Sequence, residues 1–320
     1  MPLIDILLAT YKGARYLPDL LGSLAVQTEP DWRLIVRDDG SDDESLAVIE
    51  TWAKEGGHRV VILSDGARLG AKGSFGRLLE ASDAPYFMFC DQDDVWLPEK
   101  IESLLHEVRA AEKARPTGFP ILVHSDLRVV AADLTELGPS FWATQRFRFT
   151  AVEGQKEVGL ARSLVVQNIV TGCATLGNAA LRDLATPIPD ASVMHDWWVA
   201  LVAGMFGEIR SLKEPTILYR QHGSNTIGAR DWGPVDVFRR AVSQPASAVA
   251  RTRTWLEESR KQAKAFAERF GDRLDPATHD TLLAYASLGE RSFLERKAFL
   301  LRSGVWPQSP TRSAIMLAIL

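Results

Sequence analysis

Asp91-Gln92-Asp93-Asp94 sets three carboxylates within four residues, a cluster whose self-repulsion a bound cation would relieve. Mg²⁺ and Mn²⁺ favour such hard oxygen ligands, with phosphate oxygens and waters completing an octahedron. The same residues also suit a solvated turn in which Asp93 or Asp94 helps start a helix near Pro98. Asp38-Asp39-Gly40-Ser41 offers acceptors for a base N–H or a ribose hydroxyl, and is equally what a turn before a capped helix needs. Asp196, in His195-Asp196-Trp197-Trp198, reads either as a general base beside an aromatic wall or as a helix-start residue that suits the macrodipole. Helical phase turns Trp198 toward the core and leaves Trp197 the more exposed of the pair. His222, in Tyr219-Arg220-Gln221-His222-Gly223-Ser224-Asn225, is a metal or phosphate ligand, or a hydrogen-bonded loop residue. Cys173 has no neighbour that marks it as a nucleophile and reads as a small buried residue.

Two glycine-bearing segments fail the motifs they approach. Thr10-Tyr11-Lys12-Gly13 is not G-x-G-x-x-G, which disfavours a dinucleotide cofactor. In Gly70-Ala71-Lys72-Gly73-Ser74 the lysine follows the first glycine by two positions instead of five, so this is not a P-loop. Lys72 can still bring a cation near a diphosphate, or belong to a plain helix-start loop.

The elements that must carry these residues show in the periodicity. Leu3 to Ala9, Leu34-Ile35-Val36, Val60 to Leu63 and Tyr86 to Cys90 are apolar runs of strand length. Between them Leu17, Leu20, Leu21 and Leu24, then Phe75, Leu78 and Leu79, then Ile101, Leu104, Leu105 and Val108 repeat at helical spacing. Ser41 and Glu44 form an S-x-x-E box ahead of a helix carrying Leu46, Ile49 and Trp52. Strand–helix alternation at this pitch predicts βαβ units and a mostly parallel sheet flanked by helices, with ligands beyond the carboxyl ends of the strands. Those ends carry Thr10-Tyr11, Asp38-Asp39 and Asp91 to Asp94. Ile121-Leu122-Val123 and Thr216-Ile217-Leu218 are further strands, residues 131–160 read as a long connection, and residues 231–320 read as amphipathic helices.

Composition sets the bounds. With 320 residues, 46% hydrophobic and 24% charged, the chain is an ordinary globular one, which excludes disorder and fibrous architectures. Two cysteines, Cys90 and Cys173, exclude a disulfide framework and fit a reducing compartment. No run reaches the ~18 apolar residues of a membrane span, and Met1 to Asp5 reads as the start of a strand instead of a signal peptide. The expectation is a soluble cytoplasmic protein. Residues 231–320 hold 14 Lys and Arg against 10 Asp and Glu, a charge of +4, while residues 1–230 carry −8. The acidic body argues against nucleic acid as a partner, and the basic tail leaves room for an anionic surface.

Taken in chain order, these segments resemble the family 2 glycosyltransferases of the GT-A type, and most closely the bacterial rhamnosyltransferase-like members. The resemblance rests on Ile6 to Gly13, Arg37 to Asp43, Phe89 to Pro98, Thr171 to Ala174, His195 to Trp198 and Tyr219 to Asn225, and it covers about residues 2–228. It implies a GT-A catalytic domain over residues 1–230 and a helical C-terminal region over 231–320, whose role is left between membrane surface, packing and dimerisation. It also implies an inverting, metal-dependent transferase that moves a sugar from a UDP- or dTDP-linked donor to a glycan or lipid-linked acceptor hydroxyl in surface-polysaccharide synthesis. By position, Thr10, Tyr11 and Asp39 would hold the base, Asp91 would lie near ribose and metal, and Asp93 would bind the Mg²⁺ or Mn²⁺. His222 would stand near metal or phosphate, Lys72 would face the diphosphate, and Asp196 would be the general base. Gly73-Ser74 departs from the family, where Asn is common before the residue matching Phe75. A lipid-linked acceptor would favour attachment to the inner face of the cell membrane. Two other classes fit parts of the pattern. Asp91 to Val95 matches the D-x-D-x-[TV] of haloacid-dehalogenase-type phosphatases, although there the nucleophile follows the first strand; a non-catalytic sugar-nucleotide binder is the second.

Overall fold

The computed structural model describes residues 2–64, 66–147, 149, 160–222 and 245–320. Strands β1 (Ile4–Thr10), β2 (Trp32–Asp38), β3 (Val60–Leu63) and β4 (Tyr86–Asp91) alternate with helices α1 (Leu17–Ala25), α2 (Ser45–Gly56) and α3 (Gly70–Ala81). They pair in parallel in the order β3-β2-β1-β4. Register places Thr10 opposite Asp38 and Ala9 opposite Asp91, so the polar strand ends meet along one edge. Side chains alternate across this sheet with period two, as a strand buried on both faces requires. Ile6 and Leu8 face the layer of α1, α2 and α4 (Lys100–Lys113), while Leu7 faces α3 and the later helices. Leu17, Leu20, Leu21 and Leu24 of α1 are all buried, as their spacing predicts. Pro18 tolerates the first turn because its missing N–H has no intrahelical partner there.

The rest of the sheet mixes strand directions. β8 (Thr175–Asn178) runs antiparallel to β4, and β6 (Ile121–Ala131) antiparallel to β8. β9 (Glu208–Gln221) then runs parallel to β6 and carries β5 (Val95–Trp96) antiparallel at its far edge. The α/β class with its helix-flanked parallel core stands, but the sheet as a whole is mixed. Short apolar runs such as Ile121-Leu122-Val123 reveal a strand and not its direction. The stretch expected as a long connection holds β7 (Glu136–Gly138), paired with β6, and helix α5 (Phe141–Gln145).

One local expectation fails and another holds only marginally. Helix α2 begins at Ser45 with Glu44 at its N-cap, and the Ser41–Glu44 box does not form. Ser41 Oγ instead donates to Asp38 Oδ1 (2.5 Å) and accepts the Lys12 N–H, tying β2 to the loop after β1. Trp197 is more exposed than Trp198 by very little: it is buried at 3% exposure, and its indole N–H donates to the Leu164 carbonyl. Helix α8 (His195–Phe206) is apolar almost all round because helices pack on it from several sides. One of them is α9 (Pro245–Phe270), whose Phe266 and Phe270 lie 5.4 and 6.1 Å from the Trp198 ring, so this C-terminal helix shares the core of the sheet-bearing region. Among the described residues, no helix is long and apolar enough to cross a membrane.

Candidate active site

A cleft of about 900 Å³ opens over the carboxyl ends of β1, β2 and β4. Thr10, Tyr11, Asp39, Asp91, Asp93, Asp196 and His222, seven of the eight residues singled out from sequence, line it. Lys72 does not. Its ammonium donates to the carbonyls of Asp190 (2.6 Å) and Ser192 (2.8 Å), so the chain's own backbone holds the cation expected at a diphosphate. Gly223, Ser224 and Asn225 lie outside the described residues.

One wall is built from the first two strand ends. Gln92 Oε1 accepts both Thr10 Oγ1 (2.7 Å) and the Tyr11 N–H (2.9 Å), and its amide donates back to the Tyr11 carbonyl (3.0 Å). Arg68 lies 4.4 Å from the Tyr11 ring centroid. Asp39 is more than a turn residue. Its carboxylate accepts Arg37 Nη1 (2.7 Å), the Leu69 N–H (2.6 Å), the Gly70 N–H (2.9 Å) and Ser74 Oγ (3.2 Å). Burial opposes ionisation of Asp39, yet these hydrogen bonds outweigh it and hold the carboxyl below its usual range. Arg37 is fully buried, so the pair fixes the loop that leads into α3.

The second group sits at the end of β4. His222 Nε2 lies 2.7 Å from Asp93 Oδ2, and the imidazole stacks on Tyr16 at 4.6 Å. Arg220 clamps the turn from β9: its N–H donates to Asp94 Oδ1 (3.0 Å) and its Nε to the Asp93 carbonyl (2.7 Å). Burial first, and then the Asp93 and Asp196 carboxylates, push Asp91 up to about 7. A cation between these carboxylates would reverse that penalty, so the donors facing the cleft, Asp91, Asp93 and His222, fit a hard divalent ion. Among the described residues another set of candidate ligand atoms, Asp91, Asp94 and Cys173, lies within 4.8 Å. It is the poorer metal site. Lys100, fully buried, donates to the Cys173 carbonyl beside it and already supplies a positive charge there. Cys173 is a buried free thiol, as its sequence context predicts.

Asp196 forms the third group. It is the second residue of α8 and not its cap, and its side chain reaches out of the helix. Oδ2 accepts the Gly172 N–H (3.0 Å) and Oδ1 the Trp197 N–H (2.6 Å), while Asn168 adds a side-chain hydrogen bond. Burial pushes its pKa up to about 6, which suits a group that must accept a proton near neutrality. Sequence reasoning missed Arg37, Gln92, Asn168 and Arg312. Arg312 enters the cleft from helix α12 (Pro310–Ile319) and donates to Gln145 Oε1 (2.7 Å). Only Gln92 carried a signal, its place between two aspartates; the others gain their roles from partners remote in sequence.

Known proteins resemble this chain in sequence and in fold. Residues 5–126 match the family described as Glycosyl transferase family 2. An uncharacterized glycosyltransferase of Nostoc sp. is 24% identical over 229 residues, 69% of this chain and 66% of that protein, so the chain spans slightly under two thirds of that relative's length. The dTDP-rhamnosyl transferase RfbG of Shigella flexneri is 24% identical over 236 residues, 69% of this chain and 74% of RfbG. Among solved structures, residues 1–349 of S. aureus TarS with UDP-GlcNAc superpose with a TM-score of 0.55 at 13% identity, covering 94% of this chain and 79% of that one. A Pyrobaculum calidifontis mannosyltransferase with GDP-Man and Mn²⁺ gives 0.51 at 16% identity, covering 95% and 86%. These likenesses establish the GT-A-like fold, and the phosphatase alternative is not favoured.

Proposed function

We propose that this chain, a member of glycosyltransferase family 2 through residues 5–126, transfers a sugar with inversion from a nucleoside-diphosphate donor to an acceptor hydroxyl. The observation that carries the proposal is the convergence in one cleft of a base-sized wall (Thr10, Tyr11, Asp39), an acidic cluster with an imidazole (Asp91, Asp93, His222) and a separate carboxylate (Asp196). A divalent cation held by Asp91, Asp93 and His222 would offset the negative charge of the diphosphate.

The residues divide the remaining work. Tyr11 offers an aromatic face for the base, and the Asp39 network keeps the facing loop in place. An unactivated sugar hydroxyl barely ionises at neutral pH, so Asp196 takes its proton as the oxygen attacks the anomeric carbon. The bond from that carbon to the diphosphate oxygen breaks with its electron pair on the departing diphosphate. Attack opposite the leaving group inverts the centre, so one carboxylate on the acceptor side suffices. The likeness to RfbG supports a dTDP-linked deoxysugar as donor, and UDP-GlcNAc in the TarS structure supports UDP as the other candidate. A glycan or lipid-linked acceptor and peripheral attachment at the inner membrane face complete the reading.

Calorimetric titration of UDP and dTDP with Mn²⁺, repeated after EDTA, tests the binding half. Nucleotide affinity is expected to fall at least tenfold on chelation and in Asp93→Asn. Undiminished affinity in EDTA would remove the metal from the reading, and no binding of either nucleotide would remove the transferase.

A further inference from the structure

His195 lines the cleft, is 5% exposed, and has no hydrogen-bond partner on either ring nitrogen. Buried polar atoms are nearly always paired, because an unpaired one loses its hydrogen bonds to water without replacement, so an orphaned imidazole at a cleft wall needs a reason. Packing fixes the ring's position. Phe75 stacks on its face at 4.0 Å and Phe89 meets it edge-on at 4.6 Å. Nε2 turns toward Gly172 and Asp196: the point a Cβ on Gly172 would occupy lies 3.1 Å from His195 Nε2 and 3.5 Å from Asp196 Oδ2. Glycine at 172 is therefore what leaves room for both polar groups at one spot.

We infer that His195, through Nε2, reads a hydroxyl of the sugar being transferred, as a neutral imidazole that makes one hydrogen bond to it. This rests on the nucleotide-sugar reading above and adds a specificity residue to it. A hydroxyl is the matching group because it can accept from Nε2 or donate to it, whichever tautomer the ring adopts. An anion is a poor match, because burial holds the ring uncharged, pushing its pKa down to about 3, and the Asp196 carboxylate stands beside it. The place is also right: the acceptor oxygen that Asp196 deprotonates must lie against the anomeric carbon, so a side chain next to Asp196 also borders the sugar being transferred.

The test compares nucleoside diphosphates with nucleotide sugars on the full chain with Mn²⁺. Dissociation constants are measured for UDP, dTDP, UDP-glucose, UDP-N-acetylglucosamine and dTDP-rhamnose, for the wild type and His195→Phe. Phenylalanine keeps the ring stacked on Phe75 and removes both nitrogens. The sugar's share of affinity is the ratio of the diphosphate constant to that of the best-bound nucleotide sugar. That ratio is expected to fall about tenfold in His195→Phe, with UDP and dTDP binding changed less than twofold. An unchanged ratio in a variant that still binds the diphosphate overturns the inference alone. Failure of the wild type to bind any of the five overturns the transferase reading with it. If His195→Phe does not fold, the smaller and equally apolar His195→Leu is judged by the same ratio.

Discussion

Asp196→Asn separates proton transfer from every other contribution, because the amide keeps the shape of the carboxylate and cannot accept a proton. A positioned general base is worth about 10²–10⁴ in rate, so kcat is expected to fall by that factor, or roughly 3–5 kcal/mol of barrier. Stability should change far less. Raising the Asp196 pKa from 3.8 to about 6 means the ionised native form bears a penalty of about 3 kcal/mol, which the amide removes. Against this, the amide has one oxygen for two backbone donors, Gly172 N–H and Trp197 N–H, and leaving one unpaired costs about 1–3 kcal/mol. The two nearly cancel, so the melting temperature should stay within a few degrees of the wild type. The pH profile supplies an independent check. The active form is the carboxylate, populated above its raised pKa, so wild-type kcat should rise with pH through about 6 and fall roughly tenfold from pH 7 to 5. Asp196→Asn should lose that limb. The same raised pKa means the folded chain binds this proton more tightly than the unfolded chain, so the stability penalty is relieved as pH falls through about 6. Single-turnover transfer assays across pH 5–8, with calorimetric melting of both proteins, measure all of this. A variant that retains more than a tenth of wild-type kcat, or a wild type flat from pH 5 to 7, refutes the base assignment.

Asp39→Ala removes the carboxylate that pairs with the fully buried Arg37, and breaking such a pair costs about 3–5 kcal/mol. Urea unfolding should show a loss of that size together with weakened nucleotide binding; a loss under 1 kcal/mol would mean that the pair does not hold the loop before α3. Phe266→Ala tests whether the C-terminal helix belongs to the same core as the sheet, since Phe266 is fully buried against Trp198, Phe206 and Phe270. A cost of about 3–5 kcal/mol in a single cooperative transition is expected, whereas two separate transitions would show that the helix melts alone.

Local pattern was enough wherever a residue's fate depends on its own neighbours along the chain. The four parallel strands, the buried stripe of α1 and the placement of Thr10, Asp39 and Asp91 at strand ends were all legible, because periods of 2 and 3.6 record which face is buried. Asp196 and His222 were legible as candidates only, since a lone Asp at a helix start and a lone His after a strand have common structural uses. The tertiary structure decided the rest, and each case turns on a distant partner. Lys72 is bound by the carbonyls of Asp190 and Ser192, Ser41 turns from a helix cap into a link between two loops, and Trp197 is buried by α6 (Leu160–Val166). Arg312 reaches the cleft from the last helix. Hydrophobic periodicity states that a side chain leaves water and says nothing of which groups it meets there. By itself, then, the sequence determined the strand–helix frame and the chemistry available at its carboxyl edge. Only the folded chain decided that Asp93 meets His222 across 129 residues, and that Gly172 brings His195 and Asp196 to one point. Those pairings rest on close packing between remote segments, which no local pattern encodes.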